Sequence, residues 1–333
     1  LNEWNPEVWT HEKFSVFCLL LCLLLLGGCA GSSQSRDKMQ NKTMRLATGQ
    51  SGGAYAGLGD VLTPLLNQNM KGAAVKTVET NGSAANIELL RQKRAELALV
   101  QGDAAYGAHT GTESYQNRKM SNLQAIGTLF VEPVQIITYD VTGIRKLSDL
   151  KGKTVSVGAA GSGMESNAQQ VLAAAGITYD DLNIQYLSVA DTLRALKEGT
   201  VDAAFVTSVL PTPALQELSR QRRLVFVPIA GQAAEELLRK YDFYQELVIP
   251  AGTYANQTEA CPTVAVECLL VTTDGTSKEN AHKLAETLYD HWNELRQQFP
   301  YLPERSLENI LQNTEIPLTP GAEQFLTETE AKQ

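Results

Sequence analysis

Cysteine is scarce in this sequence. There are five in 333 residues, and Cys18 and Cys22 fall in a leucine-rich run near the start. No disulfide framework can carry the fold. The two late cysteines, Cys261 and Cys268, bracket an apolar stretch. If that stretch is extended they stand about 23 Å apart, beyond disulfide reach; a bend near Pro262 would bring them together. Histidine is scarcer, at four. His109, His282 and His291 have no metal-ligand spacing and read as surface residues rather than catalysts. Basic charge does not dominate: 28 Lys and Arg stand against 37 Asp and Glu, a net charge of −9. That argues against a broad nucleic-acid footprint. Long apolar runs are missing too. The clearest, residues 14–26, is shorter than the roughly 20 residues of a spanning helix. What remains is an ordinary globular composition, 43% apolar and 20% charged, with length for about two domains.

The apolar run ends in Leu26-Gly27-Gly28-Cys29. This tetrad resembles the bacterial lipobox, in which small residues precede a cysteine that is lipidated and becomes the new N-terminus. Residues 1–28 are therefore expected to be a lipoprotein signal peptide and Cys29 the lipidation site. The flank before the run departs from a usual signal: Glu3, Glu7 and Glu12 face only Lys13, where a basic start is the rule. Residues 29–43 are small and polar and read as a flexible tether.

From Arg45 onward, short apolar runs alternate with helical patterns, the mark of an α/β fold. Strand candidates at 45–48, 74–79 and 97–100 enclose helices whose apolar residues, such as Leu58, Val61, Leu62, Leu65 and Leu66, fall at helical spacing. The order returns about a hundred residues later: strands at 154–157, 183–187 and 203–206, helices near 168–175 and 191–198. Two related α/β lobes follow, residues 44–140 plus 250–333 and residues 141–249. The chain is expected to cross between them near Tyr139–Gly143 and Leu247–Gly252. A strand near 264–272 and one long helix over 278–298 are expected to return to the first lobe.

Each lobe places a glycine-rich turn between strand and helix. Three such starts are visible, at Gly52-Gly53, Gly82-Ser83 and Gly161-Ser162-Gly163. The helix behind such a turn offers unpaired N–H groups and the positive end of its dipole, which suits a carboxylate or phosphate without a lysine or arginine. The same turns are also routine α/β architecture. Enzyme motifs fail. Gly152-Lys153-Thr154 lacks the earlier glycine of a phosphate-binding loop, since Leu147 stands there. Gly161-Ser162-Gly163 lacks the flanking glycines of a nucleophile elbow, which would be Ala160 and Met164. No nucleophile, metal cluster or acid–base pair stands out, and no cofactor is implied.

Seven segments in order carry a resemblance: Thr48-Gly49-x-Ser51-Gly52-Gly53-Ala54-Tyr55, Asn81-Gly82-Ser83-Ala84-Ala85-Asn86, Val100-Gln101-x-Asp103-x-Ala105, Leu129-Phe130-x-Glu132-Pro133-Val134, Asp149-Leu150-Lys151-Gly152-Lys153, Val157-Gly158-x-x-Gly161-Ser162-Gly163-x-Glu165-x-Asn167-Ala168, and Ile249-Pro250-Ala251-Gly252-Thr253-Tyr254. The chain from Arg45 to about Phe325 resembles the TAXI family of TRAP transporter solute-binding proteins. The resemblance implies a type II, two-lobed periplasmic-binding-protein fold, its lobes joined by two crossover segments. It also implies a small carboxylate or amino-acid ligand, glutamate-like, in the cleft, and delivery to sodium-coupled TRAP membrane subunits. Transferred residue by residue, Tyr55, Ser83, Asn86 and Gln101 form the wall of the first lobe. Ser162, Gly163 and Asn167 form that of the second, with Tyr254 near the return crossover. Glu132 is expected on the hinge side and Asp103 as a helix cap, both structural. Two departures lie near the cleft: Met164 where the family commonly has Thr, and Ser208-Val209-Leu210-Pro211 where it tends to carry a glycine.

The implied function is binding and delivery without catalysis, in the bacterial cell envelope on the periplasmic side. The lipid anchor would sit in the outer membrane of a diderm host. A receptor for an ABC importer or a sensor kinase is the alternative, and an envelope enzyme on the same fold is a more distant one.

Overall fold

The computed structural model describes residues 42–70, 73–311 and 314–332. The expected signal peptide, most of the tether and Cys29 lie outside the described residues.

The first βα units form where the alternation placed them. Strand β1 (Lys42–Ala47) leads through the first glycine turn to helix α1 (Ala54–Asn69), which buries Tyr55, Leu58, Leu62, Leu65 and Leu66 along one face. Strand β2 (Ala73–Val78) runs parallel to β1. Helix α2 (Ser83–Arg91) then leads to β3 (Leu97–Gln101), and helix α3 (Gly102–Thr110) starts directly from its end. All five residues of β3 are buried, as a strand covered on both faces requires.

Strand β4 (Leu123–Tyr139) is 17 residues long. The second set of units follows: β5 (Thr154–Ser156), α4 (Gly163–Ala174), β6 (Asn183–Gln185), α5 (Val189–Glu198) and β7 (Ala203–Thr207). Helix α6 (Pro213–Gln221), strand β8 (Leu224–Val227), helix α7 (Gln232–Lys240) and strand β9 (Gln245–Ile249) complete it. Strand β10 (Cys261–Thr273) comes next, then helices α8 (Lys278–Asp290), α9 (Trp292–Gln298), α10 (Leu307–Leu311) and α11 (Pro320–Glu330).

The strand order is β2-β1-β3-β10-β4-β7-β5-β6, with β8 also on β4 and β9 on β10. This is the two-lobed α/β architecture of type II periplasmic binding proteins. One apolar core packs α1, α8, α9 and α11 against the first-lobe strands, and a second core fills the other face of that sheet. Two further cores flank the strands of the second lobe.

Two details differ from the sequence reading. First, the passage between lobes runs inside strands rather than through loops. Strand β4 pairs with β10 up to Pro133, then with β7 from Val134. Strand β10 pairs with β9 over Cys261–Ala265 and with β4 from Ala265 onward. Pro133 has no N–H to offer a ladder, and it stands where β4 changes partners. Tyr139–Gly143, expected as a crossover, only ends β4: Tyr139 is its last residue, and Gly143 takes φ 71° after a short 3-10 turn. Second, the long late helix breaks at His291, whose ψ of 12° leaves the helical range. The wholly buried Trp292 donates its indole N–H to Pro303 O at 2.9 Å and redirects the chain into α9. His291 and His282 lie on the outside beside Glu294 and Glu328. Cys261 and Cys268, both on extended β10, are free and buried.

Candidate functional site

The three glycine turns meet along the boundary of the lobes. Gln50 donates to Asn81 at 3.1 Å, and the Ser51 N–H donates to Glu79 at 3.0 Å, so the first two turns lie side by side. Gly82 takes φ 112° and ψ −154° at the start of α2, a conformation reserved for glycine. A Cβ there would stand 3.9 Å from the Ser162 side chain across the boundary. The approach is closer at Gly163, the first residue of α4. A Cβ would overlap the Gln101 amide oxygen and lie 3.0 Å from Ser83 Oγ. Only glycine lets the second lobe come this near.

Tyr55, Ser83, Gln101, Ser162, Gly163 and Asn167 are thus brought together. Ser83 Oγ accepts the Gln101 backbone N–H at 3.1 Å, tying the start of α2 to the end of β3. Asn167, one turn into α4, donates across the boundary to Asp103 Oδ2 at 3.0 Å and within its own lobe to Tyr244 OH at 3.1 Å. Tyr244 OH in turn donates to Gln170 at 2.5 Å. The Gln101 amide N–H makes a long contact of 3.4 Å with Glu132. Because a carboxylate takes the N–H end of each amide, both amides are fixed with their oxygens turned away from the acids.

Buried polar groups nearly always find partners, which makes the exceptions informative. Among the described residues, Tyr55 OH, Gln101 Oε1, Asp103 Oδ1, Glu132 Oε1 and Asn167 Oδ1 have no hydrogen-bond partner. Each belongs to a residue that is at least nine-tenths buried. Tyr55 OH lies beside the Glu132 carboxyl and Ser83 without a bond of normal geometry to either.

Burial pushes the Glu132 carboxyl up to about 8, with the Tyr55 and Gln101 hydrogen-bonding groups pulling weakly down and Asp103 pushing further up. Burial likewise pushes Asp103 up to about 7, against the backbone N–H groups of Ala104 and Asp103 and the Asn167 amide. Glu315, whose carboxyl lies against Gly102, goes up to about 8 for the same reason, aided by Glu267. A groove of about 440 Å³ beside it is lined by Tyr106, Tyr244, Glu267 and Glu315. The helix ends complement these acids. The starts of α1, α2 and α3 have no side-chain cap. That of α4 is already closed by Ser162, which accepts from the Glu165 N–H, and by Glu165, which accepts from the Gly161 N–H at 2.6 Å.

Two of the expected residues stand elsewhere. Asn86 is wholly buried, and both its N–H donors and its amide oxygen are partnered within the first lobe. It donates to Thr48 O at 2.6 Å and Leu99 O at 2.7 Å, and accepts from Thr80 Oγ1 at 2.5 Å. It pins α2 to the end of β1 and the middle of β3. Tyr254 donates to Gln135 Oε1 at 2.5 Å and accepts the Thr212 N–H at 2.9 Å, with Phe226 stacked on its ring at 4.9 Å. Conversely, Glu132 and Asp103, read from the sequence as structural, carry unpartnered oxygens. The available signal was their type: an acid within a largely buried strand, and one in the first turn of a helix that follows a strand end.

Among the described residues, no group of three or more His, Cys, Asp or Glu side chains is placed to hold a metal ion, and no helix is long and apolar enough to cross a membrane.

Solved structures share this fold at low identity. The alkanesulfonate-binding protein SsuA from Xanthomonas axonopodis pv. citri, bound to MOPS, is 16% identical over 88% of this chain and 92% of that chain, with TM-score 0.50. The periplasmic binding protein BugD is 13% identical over 87% and 93%, with TM-score 0.53. A putative L-cystine ABC transporter protein from Listeria monocytogenes is 14% identical over 80% and 100%, with TM-score 0.51. With residues 46–329 matched by the NMT1-like family, nearly the whole described chain, the protein belongs to that family.

Proposed function

We propose that this protein is an extracytoplasmic solute receptor of the TAXI class. It binds a small carboxylate or amino acid, glutamate-like, between its lobes and passes it to a sodium-coupled TRAP permease. It is a carrier and not a catalyst. The observation that carries this reading is the set of five buried, unpartnered polar atoms contributed by both lobes at their boundary. A folded chain leaves such atoms unsatisfied only at a cost of about 1–3 kcal/mol each, and a polar ligand would recover it. The uncapped starts of α1, α2 and α3 add N–H donors suited to a carboxylate. The paired strands β4 and β10 form the hinge about which the lobes open.

The lipid anchor at Cys29 belongs to the same reading and holds the receptor on the periplasmic side of the envelope. Its motive is the Leu26-to-Cys29 tetrad. Cys29→Ala should block processing and release the protein from membranes; unchanged fractionation refutes the anchor. The receptor reading is tested by a thermal-shift screen of amino and dicarboxylic acids. A ligand at 100 times its dissociation constant adds about 2.7 kcal/mol of stability. Small-angle scattering with a hit should show a smaller radius of gyration. A screen without hits, or a hit without compaction, counts against it. Copurification with a multi-span permease encoded beside it tests the TRAP partner.

A further inference from the structure

Asp103 sits where the lobes touch. It lies in the first turn of α3, and its Oδ2 accepts the Asn167 amide, from α4 of the other lobe, at 3.0 Å. Its other oxygen, Oδ1, is buried without a partner, and the residue is 4% exposed. A cavity of about 210 Å³ beside it is shared by the two lobes. Glu113 and Tyr115 line it from the first lobe, and Gln170, Lys240 and Tyr241 from the second.

Among the described residues, no lysine or arginine is paired with this carboxyl. Helix α4 meets it with the uncharged Asn167 and Gln170. The Lys240 ammonium stands over the Tyr241 ring at 4.6 Å. The other titratable groups around it are acids and phenols: Glu113 and Tyr115 after α3, Tyr244 before β9, Glu132 on β4 and Glu315 after α10. Closing the lobes therefore takes an acid out of water and gives it one neutral donor but no counter-charge, which disfavours its charged form.

We propose that lobe closure takes up one proton, carried by the Asp103 carboxyl at its contact with Asn167, so that solute capture is coupled to a proton and the closed receptor opens as pH rises. The coupling to capture rests on the solute-receptor reading and names its regulation; the coupling to closure rests on the contact itself. Asp103 takes the proton from the buffer as the lobes meet and returns it as they part. One O–H bond forms and breaks, and no other covalent bond changes. The neutral acid still accepts from Asn167, and the unpartnered oxygen becomes a donor.

The direction follows from the two states. With the lobes together, burial holds Asp103 at about 7; a carboxyl of this kind in water titrates near about 4. Between those values the closed form keeps a proton that the open form has released. Closure therefore weakens as pH rises through that window and is insensitive to pH above about 8. Glu132 is not coupled in this way. Tyr55, Gln101 and Cys268, which surround it, belong to the first lobe and its hinge strand and stay with it when the lobes part.

The test is fluorescence energy transfer on the ligand-free protein, with dyes on Gln68→Cys and Lys197→Cys, exposed positions of α1 and α5 in different lobes. The closed-to-open ratio should fall about 10-fold between about pH 6 and pH 7.5. Asp103→Asn, neutral at every pH, should remove this dependence and favour the closed form; Glu132→Gln should keep it. A wild-type signal that does not respond to pH overturns the proposal, as does an Asp103→Asn protein that keeps the wild-type slope. If Asp103→Asn does not fold, the combined variant His109→Gln, His282→Gln, His291→Gln decides, because it removes the other side chains that ordinarily titrate in this range. A slope that vanishes with the histidines refutes the carboxyl, and one that persists supports it. In a second arm, a solute from the thermal-shift screen should bind with net proton uptake near about pH 7, read by calorimetry in two buffers of different ionisation enthalpy; binding without uptake overturns the coupling to capture. If no solute binds, the receptor reading fails, while the ligand-free response still decides the proton on Asp103.

Discussion

Asn86→Ala tests whether a residue read from the sequence as part of a binding wall is instead a structural clamp. Its side chain makes three hydrogen bonds of 2.5–2.7 Å in a wholly buried setting, to Thr48 O, Leu99 O and Thr80 Oγ1. A net hydrogen bond is worth about 0.5–1.5 kcal/mol, and removing the amide also leaves a small void. The single Thr80 hydroxyl proton, freed from Asn86, can turn to Thr48 O at 3.0 Å, so the loss at Thr48 is partial. The sum comes to about 2–4 kcal/mol. For a chain of this size one kcal/mol moves the melting temperature by about 2 °C, so the expected fall is about 4–8 °C. Thermal unfolding without ligand is the assay. Asn86→Asp, which has the shape but not the two N–H donors, should fall at least as far at neutral pH. If Asn86→Ala melts within about 1 °C of wild type yet loses ligand response, the clamp argument is wrong and the residue belongs to the site.

Three other outcomes follow from the same geometry. Gly163→Ala should not raise thermal stability, since the overlap with Gln101 outweighs any helix gain at the first residue of α4. The new Cβ would meet Gln101 and Ser83, so scattering should report a wider lobe separation than wild type; superimposable profiles refute it. Tyr254→Phe should cost about 1–3 kcal/mol of stability, because the Thr212 N–H and Gln135 lose their partner; its ligand response should match wild type, and a lost response would put Tyr254 back in the site. Asp103, Glu132 and Glu315 are raised to about 7, 8 and 8 in the folded protein, against about 4 when unfolded. Across that window the folded chain keeps protons that the unfolded chain has released, so stability falls as pH rises. Melting of the ligand-free protein should decline from about pH 5 toward pH 8, and Glu132→Gln should flatten the decline; a flat wild-type profile contradicts the burial of these acids.

The βα units were legible because apolar spacing and glycine turns are local signals. Helix α1 and strand β3 follow from Leu58 to Leu66 and from Leu97 to Val100 alone. Strand β4 was legible only in part. Its two halves pair with different sheets, and Glu132 with Pro133 points to the hinge side, but the end of the strand near Tyr139–Gly143 carries the stronger local signal of a crossover. The break at His291 is equally nonlocal, since it depends on where Trp292 finds Pro303 O. In the site, Tyr55, Ser83, Gln101 and the second glycine turn were legible from residue type beside a strand-to-helix turn. Asn86 and Tyr254 have the same chemistry as ligand-binding residues, and only their partners reveal their occupation. Glu132 reads as a structural residue on the hinge side, because an acid beside a proline in a strand gives no sign of its unpaired oxygen.

Strand β3 has neighbours of very different origin. Strand β1 is made just before it, but β10 comes from beyond the whole second lobe. During synthesis the first lobe must wait, with the buried residues Leu97–Gln101 presenting an open edge. The second lobe has β4 to β8 in hand as one stretch, but β9 also waits for the start of β10. Strand β10 therefore closes both lobes at once. A chain that stops short of Cys261 should strand a half-built first sheet and leave β9 without its partner in the second lobe.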